Sequence, residues 1–289
     1  LEGGKARAGV PMWGVVRRSL CSVRLGEASV RGQALGSGVW AIVMEGGDNR
    51  LNQAFLTQYN GALDAAMQDP ACRAVVMTGS TENKIFSNGL DLGWILSQLS
   101  TPSFEPHFLW QVKQLFARIM TLPVFTVGAV TGHAFAGGAF LALCNDYRIM
   151  REDRGYLCMN EVDVCVPLDE GLTAIAQAKI SDDRVFRDVV FLGRKYTAAE
   201  AMQAGLLDDT APTADETLKK ALALAKTLAA RNLDPAVVGR MKQEAYRRVL
   251  QTTAQPTDFR FLPGAIQVMR TEAAKAAGDS SSPSSSSAA

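Results

Sequence analysis

Histidine is nearly missing from this chain. His107 and His133 are the only two in 289 residues, so a histidine-based metal centre or a Ser-His-Asp triad has almost nothing to be built from. Cysteine is sparse as well. Cys21, Cys72, Cys144, Cys158 and Cys165 form no C-x-x-C pair and no metal-ligand spacing, and their scatter through apolar stretches reads as reduced, buried thiols of an intracellular protein. There is no excess of either charge, with 30 Lys+Arg against 29 Asp+Glu. A nucleic-acid partner would want a strongly basic face. No apolar run reaches the ~20 residues of a membrane-spanning helix. No G-x-x-x-x-G-K-[ST] or G-x-G-x-x-G loop occurs, which leaves phosphate-loop and dinucleotide readings without support.

What is present is 47% hydrophobic residues, enough for one sizeable core with a peripheral helical extension. Short buried strands are predicted at residues 39–44, 74–78, 124–130 and 147–150. Between them, residues 52–67 have helical spacing, with Leu56, Tyr59, Leu63 and Ala66 on one face. Residues 92–99 and 108–121 also read as helices, the second closed by Pro123. Residues 132–138 form a turn of small residues, and a helix starts at 139. Repeated strand–helix–strand order predicts an α/β layered core. From Asp169 onward the pattern is helical: 170–179, 182–192, 198–204, 214–230, 235–250 and 257–277.

The flanks differ in composition. Residues 1–37 carry Lys5, Arg7, Arg17, Arg18, Arg24 and Arg31 against Glu2 and Glu27, which suits either an organelle transit segment or a basic surface extension. Residues 278–289 are mostly serine and cannot bury a core. The expected division is a basic extension over 1–37, lying outside the core and supplying no active-site group. It is followed by a core with the active site over 38–195, a helical region over 196–277 and a tail over 278–289.

Two glycine turns carry chemical interest. FSNGLDL (86–92) and AFAGG (134–138) each place glycine before a helix start. Helix N-termini leave backbone N–H groups unpaired, and glycine lets a backbone approach a ligand closely. Two such turns facing one another would hold an oxyanion; taken alone they are equally tight packing turns. Glu161 lies between Met159 and Val162 in MNEVDV (159–164). Apolar surroundings would raise its pKa toward the range of a general base, although a glutamate at a strand end is commonly just surface. Asp163, two residues on, would face the same side in an extended backbone, as a second acid or a rim residue. Asp169 suits a helix N-cap.

In their order and spacing, FSNGLDL, LPVFTVGAVTGHAFAGGAFLALCNDYRIM (122–150), MNEVDV and GRKYTAAEAMQAGLLD (193–208) resemble the enoyl-CoA hydratase/isomerase (crotonase) superfamily. The likeness spans roughly residues 38–248 and is greatest to Δ3,Δ2-enoyl-CoA isomerases. It implies an α/β crotonase-type spiral of ββα repeats with a C-terminal helical region, assembled as trimers or as hexamers built from them. It implies an acyl-CoA substrate in fatty-acid β-oxidation, with no metal or redox cofactor and coenzyme A present only as part of the substrate.

Matched residue by residue, the family's oxyanion hole falls on the backbone N–H groups of Leu90 and Gly137, and its base on Glu161. The second carboxylate of hydratases falls on Phe140, which cannot serve, so the likeness favours isomerase over hydratase. Phe140, Leu92 and Pro167 would line the acyl pocket. Lys84, Ser87 and Asn88, with Arg50, would meet the coenzyme. His133 would be structural. Two alternatives stay open: a hydratase or other CoA-thioester enzyme, and a non-catalytic crotonase-fold subunit of a larger mitochondrial assembly. The N-terminal composition points to the mitochondrion, with the peroxisome as the alternative.

Overall fold

Alternation along the central strand explains the layering. In β3 (Ala74–Gly79), Ala74 and Val76 point to one face of a sheet and Val75 and Met77 to the other, and each set joins a different apolar cluster. A strand covered on both faces reads as a continuous apolar run, as AVVM does.

The computed structural model describes residues 29–98, 104–256 and residue 271. In chain order the elements are β1 (Val30–Gly36), β2 (Val39–Met44), α1 (Gln53–Gln68), β3, β4 (Ile85–Ser87), α2 (Leu92–Gln98), α3 (Phe104–Met120), β5 (Phe125–Val130), β6 (His133–Phe135), α4 (Gly137–Leu143), β7 (Tyr147–Arg151) and β8 (Leu157–Cys158). A 3₁₀ turn (Glu161–Val164) follows, then α5 (Glu170–Lys179), α6 (Asp183–Phe186) running into a π-turn (Arg187–Phe191), α7 (Ala198–Gln203), β9 (Asp209–Ala211), α8 (Ala214–Ala230), α9 (Pro235–Ala245) and α10 (Arg247–Thr253).

Six strands form one sheet in the order β1-β2-β3-β5-β7-β9, parallel except for β1. α8 covers one face, where Ala221 and Ala225 bring the helix close to Val76, Val127 and Ala129. The opposite face meets α1, α3 and α4 through residues such as Leu56, Phe116 and Leu141. A second sheet, β4-β6-β8, is also parallel. This α/β spiral with its C-terminal helices is the expected crotonase-type fold.

Several expectations are corrected. Residues 30–36 belong to the sheet rather than to an extension outside the core, because β1 pairs with β2 from Val30↔Met44 to Gly36↔Val39. The connecting residues Gly36, Ser37 and Gly38 all have positive φ, a turn chemistry that favours glycine. β1 is an edge strand, largely exposed and containing two glycines, so it shows no buried periodicity. The helix expected over 235–250 breaks at Tyr246 (φ −106°, ψ 26°), whose hydroxyl accepts a hydrogen bond from Lys179 Nζ at 3.3 Å. The helix expected over 257–277, the tail over 278–289 and residues 1–28 lie outside the described residues, apart from Thr271. Among the described cysteines, Cys72, Cys144 and Cys158 are buried, but Cys165 is exposed just past the 3₁₀ turn.

Candidate active site

The small sheet sets out the site. Its three strands run parallel, so their C-terminal ends lie along one edge, where ligands of parallel sheets are typically held. β4 leads into Asn88-Gly89-Leu90, β6 into Ala136-Gly137, and β8 into Asn160-Glu161. All of these residues except Gly89 line one cleft of about 300 Å³.

The first turn is fixed from beneath. Ser87 is fully buried; its hydroxyl donates to the Asn49 carbonyl (2.8 Å) and accepts from the Gly89 N–H (3.2 Å). Leu51 N–H donates to the Gly89 carbonyl at 2.7 Å, and Asp91 N–H to the Leu51 carbonyl at 2.9 Å. That ladder skips the Leu90 N–H, which has no acceptor among the described residues. The second turn is strained. Ala136 has φ 48° and ψ −121°, a conformation costly to a residue with a side chain and typical of functional sites. Its reward is position: Gly137 starts α4 with its N–H unused by the helix.

The two turns touch. A Cβ on Gly89, which has φ +71°, would stand 2.7 Å from the Gly137 nitrogen, and one on Gly137 would stand 3.7 Å from the Leu90 nitrogen. Glycine at 89 is therefore what allows two free amide donors to sit side by side.

Glu161 enters from the third strand. It is the first residue of the 3₁₀ turn, half-buried, and its Oε2 is buried without a hydrogen-bond partner. Burial pushes its carboxyl up from the ordinary 4.5 to about 7. The turn also separates it from Asp163, which is exposed and does not line the cleft. At about 120° per residue in a 3₁₀ helix, positions i and i+2 point apart. The expectation that the two carboxylates share a side assumed extended backbone and is corrected.

Phe140 is buried in the wall of the same cleft and stacks on Phe116, with centroids 5.7 Å apart and planes at 15°. Leu92, Pro167, Asn88 and Arg50 also line the cleft. Two expected coenzyme contacts do not. Ser87 lies beneath the turn as described. Lys84 is exposed away from the cleft, and its carbonyl accepts from His133 N–H at 2.9 Å. His133 stacks between Phe135 and Tyr156 and does not line the cleft.

Sequence reasoning missed one wall. Leu109, Val112, Lys113 and Phe116 of α3 all face the cleft. Their i, i+3, i+4, i+7 spacing was the available signal, but spacing does not say which cavity a helical stripe faces. Asn160 was missed too; its Oδ1 is buried and unpartnered.

Residues 30–261 match the Enoyl-CoA hydratase/isomerase family. The chain belongs to that family. Among its relatives is the Arabidopsis thaliana protein named enoyl-CoA delta isomerase 1, peroxisomal, 34% identical over 204 residues that make up 71% of this chain and 84% of that one. The Rattus norvegicus mitochondrial Delta(3,5)-Delta(2,4)-dienoyl-CoA isomerase is 28% identical over 64% of this chain and 58% of its own length. In structure, the human mitochondrial delta3-delta2-enoyl-CoA isomerase superposes with a TM-score of 0.68 at 24% identity, covering 88% of this chain and 98% of that one. That superposition bears on the fold. Family membership and relatives named as enoyl-CoA delta isomerases support an enzyme acting as an enoyl-CoA isomerase or hydratase.

Proposed function

We propose that the protein isomerises 3-enoyl-CoA to trans-2-enoyl-CoA, with Glu161 as the only proton carrier. The observation that carries this reading is a single buried, unpartnered carboxylate sharing a cleft with two free backbone amides, while the family resemblance puts the second acid of hydratases at Phe140. The thioester oxygen sits between the Leu90 and Gly137 N–H groups. Glu161 takes a proton from C2, the C2–H electrons move into the carbonyl, and the resulting enolate oxygen is held by the two amides. Glu161 then returns the proton at C4 as the double bond shifts to C2=C3. The proton removed equals the proton returned, so the step is redox-neutral.

Arg50, at the half-exposed mouth beside Asn88, meets the coenzyme phosphates, and Leu92, Phe140 and Pro167 hold the acyl chain. This chemistry serves breakdown of unsaturated fatty acids, in an organelle. Relatives named as peroxisomal or mitochondrial support the organelle, and the arginine-rich composition of residues 1–37 favours the mitochondrion; imaging the tagged full chain in cells distinguishes the two. The assembly is of three or six copies. Val162, Phe191 and Leu192, exposed at 46%, 61% and 63%, supply an apolar face for it, and sedimentation of the full chain reads the mass.

The test is a pH profile. A base works only when deprotonated, so kcat/KM is expected to be flat above about pH 7 and to fall tenfold per unit below it, following the raised carboxyl of Glu161. An inflection near pH 4.5, the value of an ordinary glutamate, contradicts the raised carboxyl, and an acid limb that persists unchanged in Glu161→Gln contradicts Glu161 as the base.

A further inference from the structure

The wall that α3 contributes ends in a charge pair, where an acyl pocket would ordinarily be apolar. We infer that Lys113 and Asp169 form the closed end of the acyl pocket and set the length of acyl chain the enzyme accepts. This rests on the acyl-CoA reading of the same cleft.

Three observations support it. First, both residues line the cleft together with Leu109, Val112, Phe116 and Leu172. Second, exposure orients the cleft among the described residues. The Arg50 side chain is 41% exposed and that of Lys113 is 3% exposed, so the cleft opens at Arg50 and Asn88 and closes at Lys113. Third, the pair cannot swing aside. Lys113 Nζ donates to Asp169 Oδ2 at 2.5 Å and to the Gln255 carbonyl at 3.1 Å. Asp169 Oδ1 caps α5 by accepting from Leu172 N–H at 2.9 Å, and Lys113 Cδ lies 3.0 Å from where a Cβ on Gly171 would sit.

Trp110 and Gln114, on the same helix, donate to the carbonyls of Ala254 (3.2 Å) and Thr253 (2.6 Å). These bonds fix α3 against the end of α10. A terminal methyl arriving at Lys113 therefore meets an immobile, paired charge. Displacing Asp169 would leave the Lys113 ammonium, 3% exposed, without its carboxylate, which is far more costly than the gain from burying one more methylene.

The sequence alone suggested a helix cap for Asp169. The structure gives it both roles, with one carboxylate oxygen capping α5 and the other holding Lys113.

The experiment is calorimetric titration of the full chain with saturated straight-chain acyl-CoAs from butanoyl to tetradecanoyl. It is run on the parent and on Lys113→Ala/Asp169→Ser, in which serine keeps the cap and both charges leave together. For the parent, affinity is expected to rise about fourfold per added methylene up to a break, then stay level as further carbons find no pocket. In the double variant the break is expected two to four carbons later, about the length of the lost lysine stem. The kcat/KM values for 3-enoyl-CoAs of the same lengths should shift in parallel.

An unmoved break overturns the inference while leaving the acyl-CoA reading intact, and so does a parent affinity that climbs without a break through tetradecanoyl-CoA. Failure of the parent to bind any acyl-CoA overturns the acyl-CoA reading itself. Should the double variant not fold, Lys113→Val/Asp169→Asn removes about one methylene of volume. Its break is expected about one carbon later, and an unmoved break there overturns the inference equally.

Discussion

Glu161→Gln is expected to lower turnover of a 3-enoyl-CoA by about 10²–10⁴ with little change in substrate affinity. Gln keeps the shape and can still hydrogen bond, so what is lost is the transferable proton site. kcat and kcat/KM should therefore fall together in steady-state assays. Asp163→Asn is the control, and near-parent rates are expected because Asp163 is exposed outside the cleft.

Stability should respond with its own sign. A carboxyl whose folded pKa is about 7 rather than 4.5 favours the folded state most when protonated. Stability from this group is fully present below about pH 4.5 and is lost as pH rises through 7, by up to about 3 kcal/mol. Glu161→Gln should remove that pH dependence in denaturant melts while also removing activity. A variant that loses activity and keeps the pH dependence would place the raised carboxyl elsewhere.

Deleting the Gly137 donor is expected to cost about 10²–10³ in turnover, the usual effect of losing one oxyanion contact. Replacing that amide by an ester through semisynthesis removes the N–H alone. Gly89→Ala is the genetically accessible counterpart, because the added Cβ would press on the Gly137 nitrogen from 2.7 Å and would have to be carried at φ +71°. Both changes should act on kcat more than on binding, since the oxygen carries full charge only after C2 loses its proton. Loss of binding with kcat preserved would mean that these amides hold the ground state only.

How much of this was legible in the sequence depends on the length scale of each signal. The buried strands β2, β3, β5 and β7 and the helices α1, α5 and α8 have enough residues for periodicity to speak, and several spans agree residue for residue, such as Glu170–Lys179 and Ala214–Ala230. β6, β8 and β9 have two or three residues each. They exist because parallel partners are supplied from elsewhere in the chain, information that no local window contains. β1 was hidden by its glycines and its exposed edge.

At the site, the proposed oxyanion donors are main-chain atoms, so residue types could not reveal them. Motif resemblance pointed to Leu90 and Gly137, and the geometry brings them together. Lys84 and Ser87 show the limit of reasoning by proximity in sequence. Each lies within a few residues of the cleft, yet one points outward and the other is locked under the turn. Glu161 was picked out by the motif resemblance, since its apolar neighbours alone left it as readily a surface glutamate, and the 3₁₀ turn that separates it from Asp163 ends on Cys165 in a left-handed conformation (φ 54°, ψ 33°), which sequence rules do not anticipate for cysteine.

The most direct measurement of the central claim is product analysis after incubating the parent protein with 3-hexenoyl-CoA. A site with one unpaired carboxylate, Asp169 being held by Lys113, should accumulate trans-2-hexenoyl-CoA, and should add water to that product only slowly, because Phe140 cannot activate water jointly with Glu161. Accumulation of 3-hydroxyhexanoyl-CoA as the main product would contradict this account by requiring a second acid, and absence of any product would contradict it by leaving the cleft without catalysis.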